Sequence, residues 1–225
     1  MNFVFWGNGS DASKSAVETA YSHVRDTGNF NWTFIFILAV VFYVYWSEMH
    51  KKNYEAVFAG LALYGVHWLY EIMNAIIGKI SGYPLWTVSG ESTTFILLIG
   101  VSWELSMMFS LAGIISFKMM GQDRNKRLFA KGKFKGISIK WVVCIEMALL
   151  FDLFESFLAG TTNGSFLWVY KWWGVIPVFF TTYIPFFIAS NFVPDMKPKA
   201  RTIFLASLWG LVAILLIVLI PLGVI

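Results

Sequence analysis

Runs of about twenty apolar residues recur along the whole chain, and they limit the fold more than any other feature. A helix of about 20 apolar residues is long enough to cross the hydrocarbon core of a bilayer. The sequence predicts six such helices, over residues 31–48, 54–77, 93–117, 139–160, 166–192 and 202–224. Soluble domains are about 45–50% apolar, whereas this chain is 58% hydrophobic and only 13% charged. We therefore expect an all-α integral membrane protein, a bundle of six transmembrane helices.

The basic residues predict how this bundle is oriented. Lys and Arg are concentrated in three connectors, near residues 50–52, 118–140 and 197–201, and the other connectors contain few. The positive-inside rule places these connectors in the cytoplasm and both termini on the extracytoplasmic side. Their placement also explains the net charge of +4 without a nucleic-acid partner. We expect the cytoplasmic (plasma) membrane, with lipids and a hydrophobic small molecule as partners; a homo-oligomer stays open.

The first thirty residues are predicted to form an extracytoplasmic segment, followed by the transmembrane domain over 31–225. The segment does not resemble a cleavable signal peptide, because its short apolar start lacks a basic region and ends at Gly7. Ser10 is predicted to cap a short amphipathic helix over about 11–26. That helix is expected at the membrane interface or over the bundle, and in a sharper version of the prediction it is a lid on an outward-facing cavity.

Several ionisable side chains lie inside the predicted spans. Each costs about 2.5–3.5 kcal/mol on insertion scales, so such groups usually face the protein interior. His67, Glu71 and Asn74 share one helical face, because offsets of four and seven residues return to the same side. Asp152 and Glu155 share a face of another span. At a rise of about 1.5 Å per residue, these groups fall between the middle of the bilayer and its outer face, which predicts one outward-facing polar cavity.

The candidate site consists of these acids and their polar and aromatic neighbours. The residues predicted to carry acid/base chemistry are Glu71, Asp152, Glu104 and Glu155. Those predicted to bind or orient a substrate are His67, Asn74, Trp103, Tyr170 and Lys171. In a low-dielectric cavity one carboxyl group can stay protonated and act as an acid while a second stays ionised and acts as a base.

The residue types argue against most metal and cofactor chemistry. Cys144 is the single cysteine and His67 the one histidine within a predicted span, whereas zinc and di-iron sites need several thiolates or imidazoles. We therefore predict no metal and no redox cofactor. A divalent cation bound by the carboxylates stays open as an alternative.

The pair Trp103–Glu104, with Asp152 in a different span, is similar in outline to the small multi-span terpene cyclases of fungi. The resemblance covers a few per cent of the chain. It implies an isoprenoid substrate, carboxyl groups that act as acids, and aromatic side chains that stabilise cationic intermediates.

The functional prediction is a protein that binds or transforms a hydrophobic, lipid- or isoprenoid-like molecule. An enzyme of this kind would be a membrane-embedded acid/base enzyme of the cyclase, isomerase or hydrolase type. One alternative is a proton- or cation-coupled transporter, which would need a polar path to the cytoplasm past Glu146. Another is a non-catalytic subunit or receptor of a larger complex, in which each carboxylate would be paired and no cavity would exist.

Overall fold

The computed structural model describes residues 3–88, 95–131, 135–160 and 166–225, and most of these residues are helical. The α-helices are α1 (Ser10–His23), α2 (Phe34–His50), α3 (Tyr54–Ser81), α4 (Trp103–Met119), α5 (Ile139–Ala159), α6 (Val175–Val178), α7 (Ile184–Phe192) and α8 (Pro198–Leu219). A π-helical turn, Phe179–Tyr183, joins α6 to α7, and 3-10 turns cover Thr27–Asn29 and Val193–Asp195.

The prediction of an all-α protein is wrong in detail, because the described residues also form three antiparallel two-stranded sheets. Their strands are β1 (Trp86–Val88) with β6 (Phe166–Trp168), β2 (Ile96–Leu98) with β3 (Val101–Ser102), and β4 (Arg127–Leu128) with β5 (Ile137–Ser138). The aromatic and β-branched residues of these segments favour strands, although the same residues contribute to the apolar runs in the sequence.

Two predicted spans therefore begin too early. The span predicted over 93–117 starts as the β2–β3 hairpin, and its helix begins at Trp103, where Ser102 Oγ accepts a hydrogen bond from Leu105 N; residues 93 and 94 lie outside the described residues. The span predicted over 166–192 starts as β6, and its helix begins at Val175. The predicted spans 31–48, 54–77, 139–160 and 202–224 correspond to α2, α3, α5 and α8 within a few residues.

The predicted amphipathic helix near the N-terminus is α1, but Ser10 does not cap it. Gly9 occupies the N-cap position with φ 97°, and no side chain provides a cap. Glycine suits this position because it adopts positive φ without a steric cost. Val17 and Ala20 are buried, and Ser13 Oγ donates to Val169 O at 3.4 Å. The helix thus packs on the bundle.

One end of the bundle, which we call the sheet end, gathers β1, β6 and both ends of the described chain. Gly7 N donates to Trp173 O at 2.9 Å, so the N-terminal segment lies beside the residues that precede α6. Arg25 Nη2 donates to Ile225 O at 2.9 Å. The segment before the bundle and the C-terminal end of the described chain therefore both lie at the sheet end.

The opposite end, which we call the basic end, contains the three basic connectors. Lys118 Nζ lies 2.6 Å from Glu48 Oε1. This ion pair joins the end of α2 to the end of α4, and a basic connector follows each of these helices. Arg124 lies 2.7 Å from Asp195 Oδ1, and Lys140 also pairs with Asp195, which adds the connector before α8. The connectors that the sequence groups by charge are thus grouped in space.

Three helices of the described residues are long and apolar enough to cross a membrane, namely Tyr54–Ser81, Val175–Asp195 and Pro198–Leu219. Among the others, α2 is apolar but has 17 residues. The 21-residue α5 carries four charged side chains, Lys140, Glu146, Asp152 and Glu155.

Glycines allow α3 and α4 to approach closely. A Cβ atom on Gly113 would lie 2.5 Å from Ala59 O and 2.9 Å from Gly60 Cα, so only glycine fits there. Ser110 and Ser106, about one and two turns before it on α4, are buried. Small residues at a helix crossing give close van der Waals contact between backbones, which is an important source of helix association in membranes.

We expect Gly113→Ala to destabilise the protein, because backbone atoms of α3 would have to move. Overpacking of this kind costs about 1–3 kcal/mol. The matched control is Gly210→Ala on α8, where nothing lies within 4 Å of the new Cβ and the helix propensity of alanine is better by about 1 kcal/mol. Thermal unfolding in detergent should show a lower midpoint for Gly113→Ala alone; equal midpoints for both variants would contradict the close crossing.

Candidate functional site

A cross-strand pair of tryptophans at the sheet end binds two carboxylates. Trp86 on β1 and Trp168 on β6 are direct partners in the antiparallel ladder, so their side chains extend on the same face of the sheet. Trp86 Nε1 donates to Glu71 Oε2 at 3.3 Å, and Trp168 Nε1 donates to Glu155 Oε1 at 2.6 Å. One pair of strands therefore positions an acid of α3 and an acid of α5.

Asn74 fixes the strand that carries Trp86. Its side chain is fully buried; Nδ2 donates to Trp86 O at 2.9 Å, and Oδ1 accepts from Leu85 N at 2.7 Å and from Trp86 N at 3.3 Å. The amide thereby satisfies backbone groups as a neighbouring strand would. Asn74 is three residues from Glu71 on α3, so the same helical face supplies the acid and the group that places its indole donor.

Gly100 leaves room for this cluster. A Cβ atom there would lie 2.5 Å from Asn74 Nδ2 and 2.6 Å from Glu71 Oε2, and it would also collide with Trp86 Nε1. The turn between β2 and β3 can approach the carboxylate only because residue 100 has no side chain.

His67 is the nearest titratable neighbour of Glu71. It lies one turn earlier on α3, with Nε2 3.4 Å from Glu71 Oε1. The imidazole is 1% exposed and stacks on Phe109 at a centroid distance of 4.1 Å. Neither ring nitrogen has a partner that meets hydrogen-bond geometry. The ring is therefore held by packing against Phe109, next to Glu71.

Glu155 is held from a second side by the π-helical turn. Tyr183, the last residue of that turn, donates its hydroxyl to Glu155 Oε2. The turn lies in a helix that contains Pro185, which has no N–H to donate to Thr181 O. Tyr70 of α3 donates to that carbonyl instead, at 2.7 Å. Single π-helical turns within helices are frequent at functional sites, and this one brings Tyr183 to the acid.

Asp152 lies one turn before Glu155 on α5 and is fully buried. Neither of its carboxyl oxygens has a hydrogen-bond partner. It is close enough to Glu155 for an electrostatic interaction, as is Glu71. Three acids on two helices thus share one region, although an unpaired buried carboxylate is costly in its charged form.

A cavity of about 50 Å³ lies against Glu71 and Glu155, whereas Asp152 is not part of its lining. Its lining is His67, Glu71, Trp86, Gly100, Leu105, Met108, Phe109, Phe151, Phe154, Glu155, Leu158, Phe166, Trp173, Val178, Thr182, Tyr183 and Phe186. A volume of this size has room for a few water molecules. Most of the lining side chains are apolar, and the polar ones include the two acids Glu71 and Glu155.

The cavity opens on the side of the bundle between α4 and α5. Met108 of α4 and Phe154 of α5 both line it, and they are 37% and 49% exposed. Leu150 and Phe157, on the same outer surface of α5, are also exposed. The opening is thus surrounded by exposed apolar side chains.

Four residues of the predicted site are elsewhere. Trp103 stacks on Phe34 of α2, at a centroid distance of 5.6 Å, and Glu104 lies half-buried in the first turn of α4. Tyr170 and Lys171 belong to the connector before α6, since that helix begins at Val175. None of the four lines the cavity described above.

Tyr170 and Lys171 contact the outside of the sheet end instead. Tyr170 Oη donates to Tyr83 O at 3.0 Å. The Lys171 side chain packs against Gly9 at the surface. The cavity-lining residues that the sequence did not predict include Trp86, Phe166 and Tyr183. Pro177 and Pro185, on either side of Tyr183, were a signal of an irregular helix.

Two of the open alternatives can be compared with the structure. Among the described residues, no group of three or more His, Cys, Asp or Glu side chains could hold a metal ion. Glu146 is exposed on the outside of α5, away from the cavity lining.

Apolar helices of spanning length and acids buried between them define a helical membrane protein. The chain belongs to an uncharacterized membrane protein family, whose model matches residues 13–221. An uncharacterized protein of Archaeoglobus fulgidus is 35% identical over 185 residues, which cover 80% of this chain and 83% of that protein. No solved structure matches the chain.

We expect Asn74→Ala to destabilise the protein and to release Trp86 from Glu71, because three hydrogen bonds of a buried amide are lost. Buried backbone groups left without a partner cost about 1–3 kcal/mol each. The control is Asn53→Ala, which removes a single bond to Glu48 at the basic end. Chemical unfolding and indole fluorescence should both change much more for Asn74→Ala; equal effects would contradict its positioning role.

Proposed function

We propose that this protein binds and transforms a hydrophobic, lipid- or isoprenoid-like molecule by carboxylate acid/base chemistry. The observation that carries the proposal is the pair Glu71 and Glu155, which come from different helices, are each held by an indole N–H, and face one cavity. Two positioned carboxyl groups in an environment of low dielectric can serve as a general acid and a general base.

The surroundings of the two acids differ, which supports a division of roles. Glu155 accepts hydrogen bonds from both Trp168 and Tyr183, so each of its carboxyl oxygens has a donor. Glu71 has one longer bond to Trp86 and the imidazole of His67 at 3.4 Å. We propose that the two glutamates divide the roles of general acid and general base.

Asp152 is placed to support Glu155. It is buried one turn away without a hydrogen-bond partner, and a neutral carboxyl group is the less costly form at such a site. It would hold a proton that Glu155 can receive or return. Asn74 acts indirectly, because it positions Trp86.

The walls of the cavity and its opening support an apolar substrate. Phe109, Phe151 and Phe186 line it, and aromatic faces stabilise positive charge that develops on a substrate. The opening between α4 and α5 is flanked by exposed Met108 and Phe154. A molecule dissolved in the bilayer would reach the acids from the side, without passing through water.

The competing proposal of a proton- or cation-coupled transporter has less support. Its expected inner acid, Glu146, is exposed on the outside of α5 and is not among the residues around the cavity. A purely structural role is also less well supported, because a cavity adjoins the acids and neither Glu71 nor Glu155 forms an ion pair with Lys or Arg among the described residues.

For the fold, we propose that α2, α3, α4, α5, the helix Val175–Asp195 and α8 each cross the plasma membrane, with both termini extracytoplasmic. The support is the clustering of the basic connectors at one end of the bundle and of the N-terminal segment at the other. The cavity then lies in the outer half of the bilayer.

We expect Glu71→Gln and Glu155→Gln to abolish conversion of the substrate while the protein still folds. Loss of a general acid or base lowers the rate by about 10²–10⁴-fold. The matched control is Glu146→Gln, an exposed carboxyl group on the same helix as Glu155. Mass spectrometry of a membrane lipid extract incubated with each variant would identify a component that only the wild type and the control convert.

Equal lipid profiles for the wild type and all three variants, with normal unfolding, would contradict the acid/base proposal. Proton-flux measurements in liposomes would then test the transporter.

The orientation predicts one-sided labelling. In a Cys144→Ala background, Lys14→Cys on α1 should react with a membrane-impermeant maleimide in intact cells. Lys126→Cys at the basic end should react only after the cells are opened, because its connector is cytoplasmic. Both positions are exposed, so accessibility within the protein does not distinguish them. The reverse pattern would contradict the proposed orientation.

A further inference from the structure

We infer that the ligand is a neutral apolar molecule with one terminal oxygen function, such as an alcohol or a carbonyl, that enters the cavity head first from the bilayer. This inference rests on the proposed function and specifies its substrate class. It depends on the buried polar atoms without partners in residues that line the cavity, on the charge of that lining, and on the size and opening of the cavity.

The polar atoms without a partner are mainly hydrogen-bond donors. Trp173 Nε1 and Thr182 Oγ1 are buried and have no hydrogen-bond partner, and each residue is 7% exposed. Both residues line the cavity with His67, whose ring nitrogens also lack a partner. An indole N–H is a donor only, and a hydroxyl group donates readily. Donors without partners at a buried site fit an acceptor oxygen on the ligand.

The charge of the cavity argues against an anionic head group. Its described lining contains Glu71 and Glu155 but no lysine or arginine. A phosphate, diphosphate or carboxylate would meet two acids without a cation to pair with, and an unpaired buried charge is costly. Lys171, which the sequence predicted to bind or orient a substrate, lies at the surface beside Gly9.

A cationic head group is disfavoured by the same donors. An ammonium group has no acceptor atoms, so Trp173 and Thr182 would stay without partners. Three of the four carboxyl oxygens of Glu71 and Glu155 already accept hydrogen bonds, from Trp86, Trp168 and Tyr183.

The size of the cavity limits how much of the ligand can enter. A volume of about 50 Å³ accommodates a small oxygen-bearing end and not a whole lipid, since pockets that enclose drug-sized ligands measure about 300–1,000 Å³. The remaining chain would lie in the opening between Met108 and Phe154 and in the surrounding bilayer. This arrangement places the oxygen function next to the acids.

The test is binding of tritiated farnesol to the wild type in nanodiscs, with farnesene, farnesylamine and farnesyl diphosphate as competitors. Unlabelled farnesol should compete at least tenfold better than the other three. Trp173→Phe and Thr182→Val, which each remove a donor, should weaken farnesol binding by about 2–10-fold, the value of one net hydrogen bond. Met108→Trp should weaken it by closing the opening, whereas Ile115→Trp, an exposed position further along α4, should not.

Stronger competition by the amine or the diphosphate, or no saturable farnesol binding, would overturn the inference. Equal effects of Met108→Trp and Ile115→Trp would overturn the lateral route. The Glu71→Gln/Glu155→Gln double variant shows whether conversion of a molecule depends on the two glutamates, and this separates the present inference from the proposed function. Retained farnesol binding without any conversion by the wild type would refute only the proposed chemistry, whereas glutamate-dependent conversion of a charged lipid would refute only the neutral ligand.

Discussion

The hydrogen bonds from the Trp86–Trp168 pair to Glu71 and Glu155 are the interaction on which the site depends. Each carboxyl group lies on a helix that would otherwise carry a costly charge into an apolar environment. Charge-assisted hydrogen bonds offset part of that cost. Because the two indoles are neighbours in one ladder, they also connect an acid of α3 to an acid of α5.

The rest of the sheet end supports this pair. Asn74 satisfies the backbone of the Trp86 strand, Gly100 leaves space beside Glu71, and the N-terminal segment hydrogen-bonds to the β6 region through Trp168 O. The lid predicted from the sequence corresponds to α1, which packs against this end through Val17 and Ala20. It covers the sheet end, whereas the opening to the cavity lies on the side, between α4 and α5.

Helical periodicity predicted the part of the site that lies on regular helices. His67, Glu71 and Asn74 share a face as their spacing indicates, and Asp152 and Glu155 lie together on α5. Periodicity could not predict Trp86 or Trp168, since short strands within aromatic runs resemble the ends of spans. For the same reason Tyr170 and Lys171 were assigned to a helix that begins only at Val175. Glu104 shows a further limit. The sequence grouped it with the other acids, but the presence of an acid within a predicted span does not give the direction of its side chain.

The most direct measurement is NMR of the indole Nε1–H groups in detergent, with ¹⁵N-labelled tryptophan and the Trp86 and Trp168 signals assigned from Trp→Phe variants. If the pair holds the two acids, Glu71→Gln should shift the Trp86 signal and Glu155→Gln the Trp168 signal, because each indole N–H loses its carboxyl acceptor. Glu146→Gln should shift neither. Unchanged signals in both glutamate variants, or equal shifts in the control, would contradict the central role of the tryptophan pair.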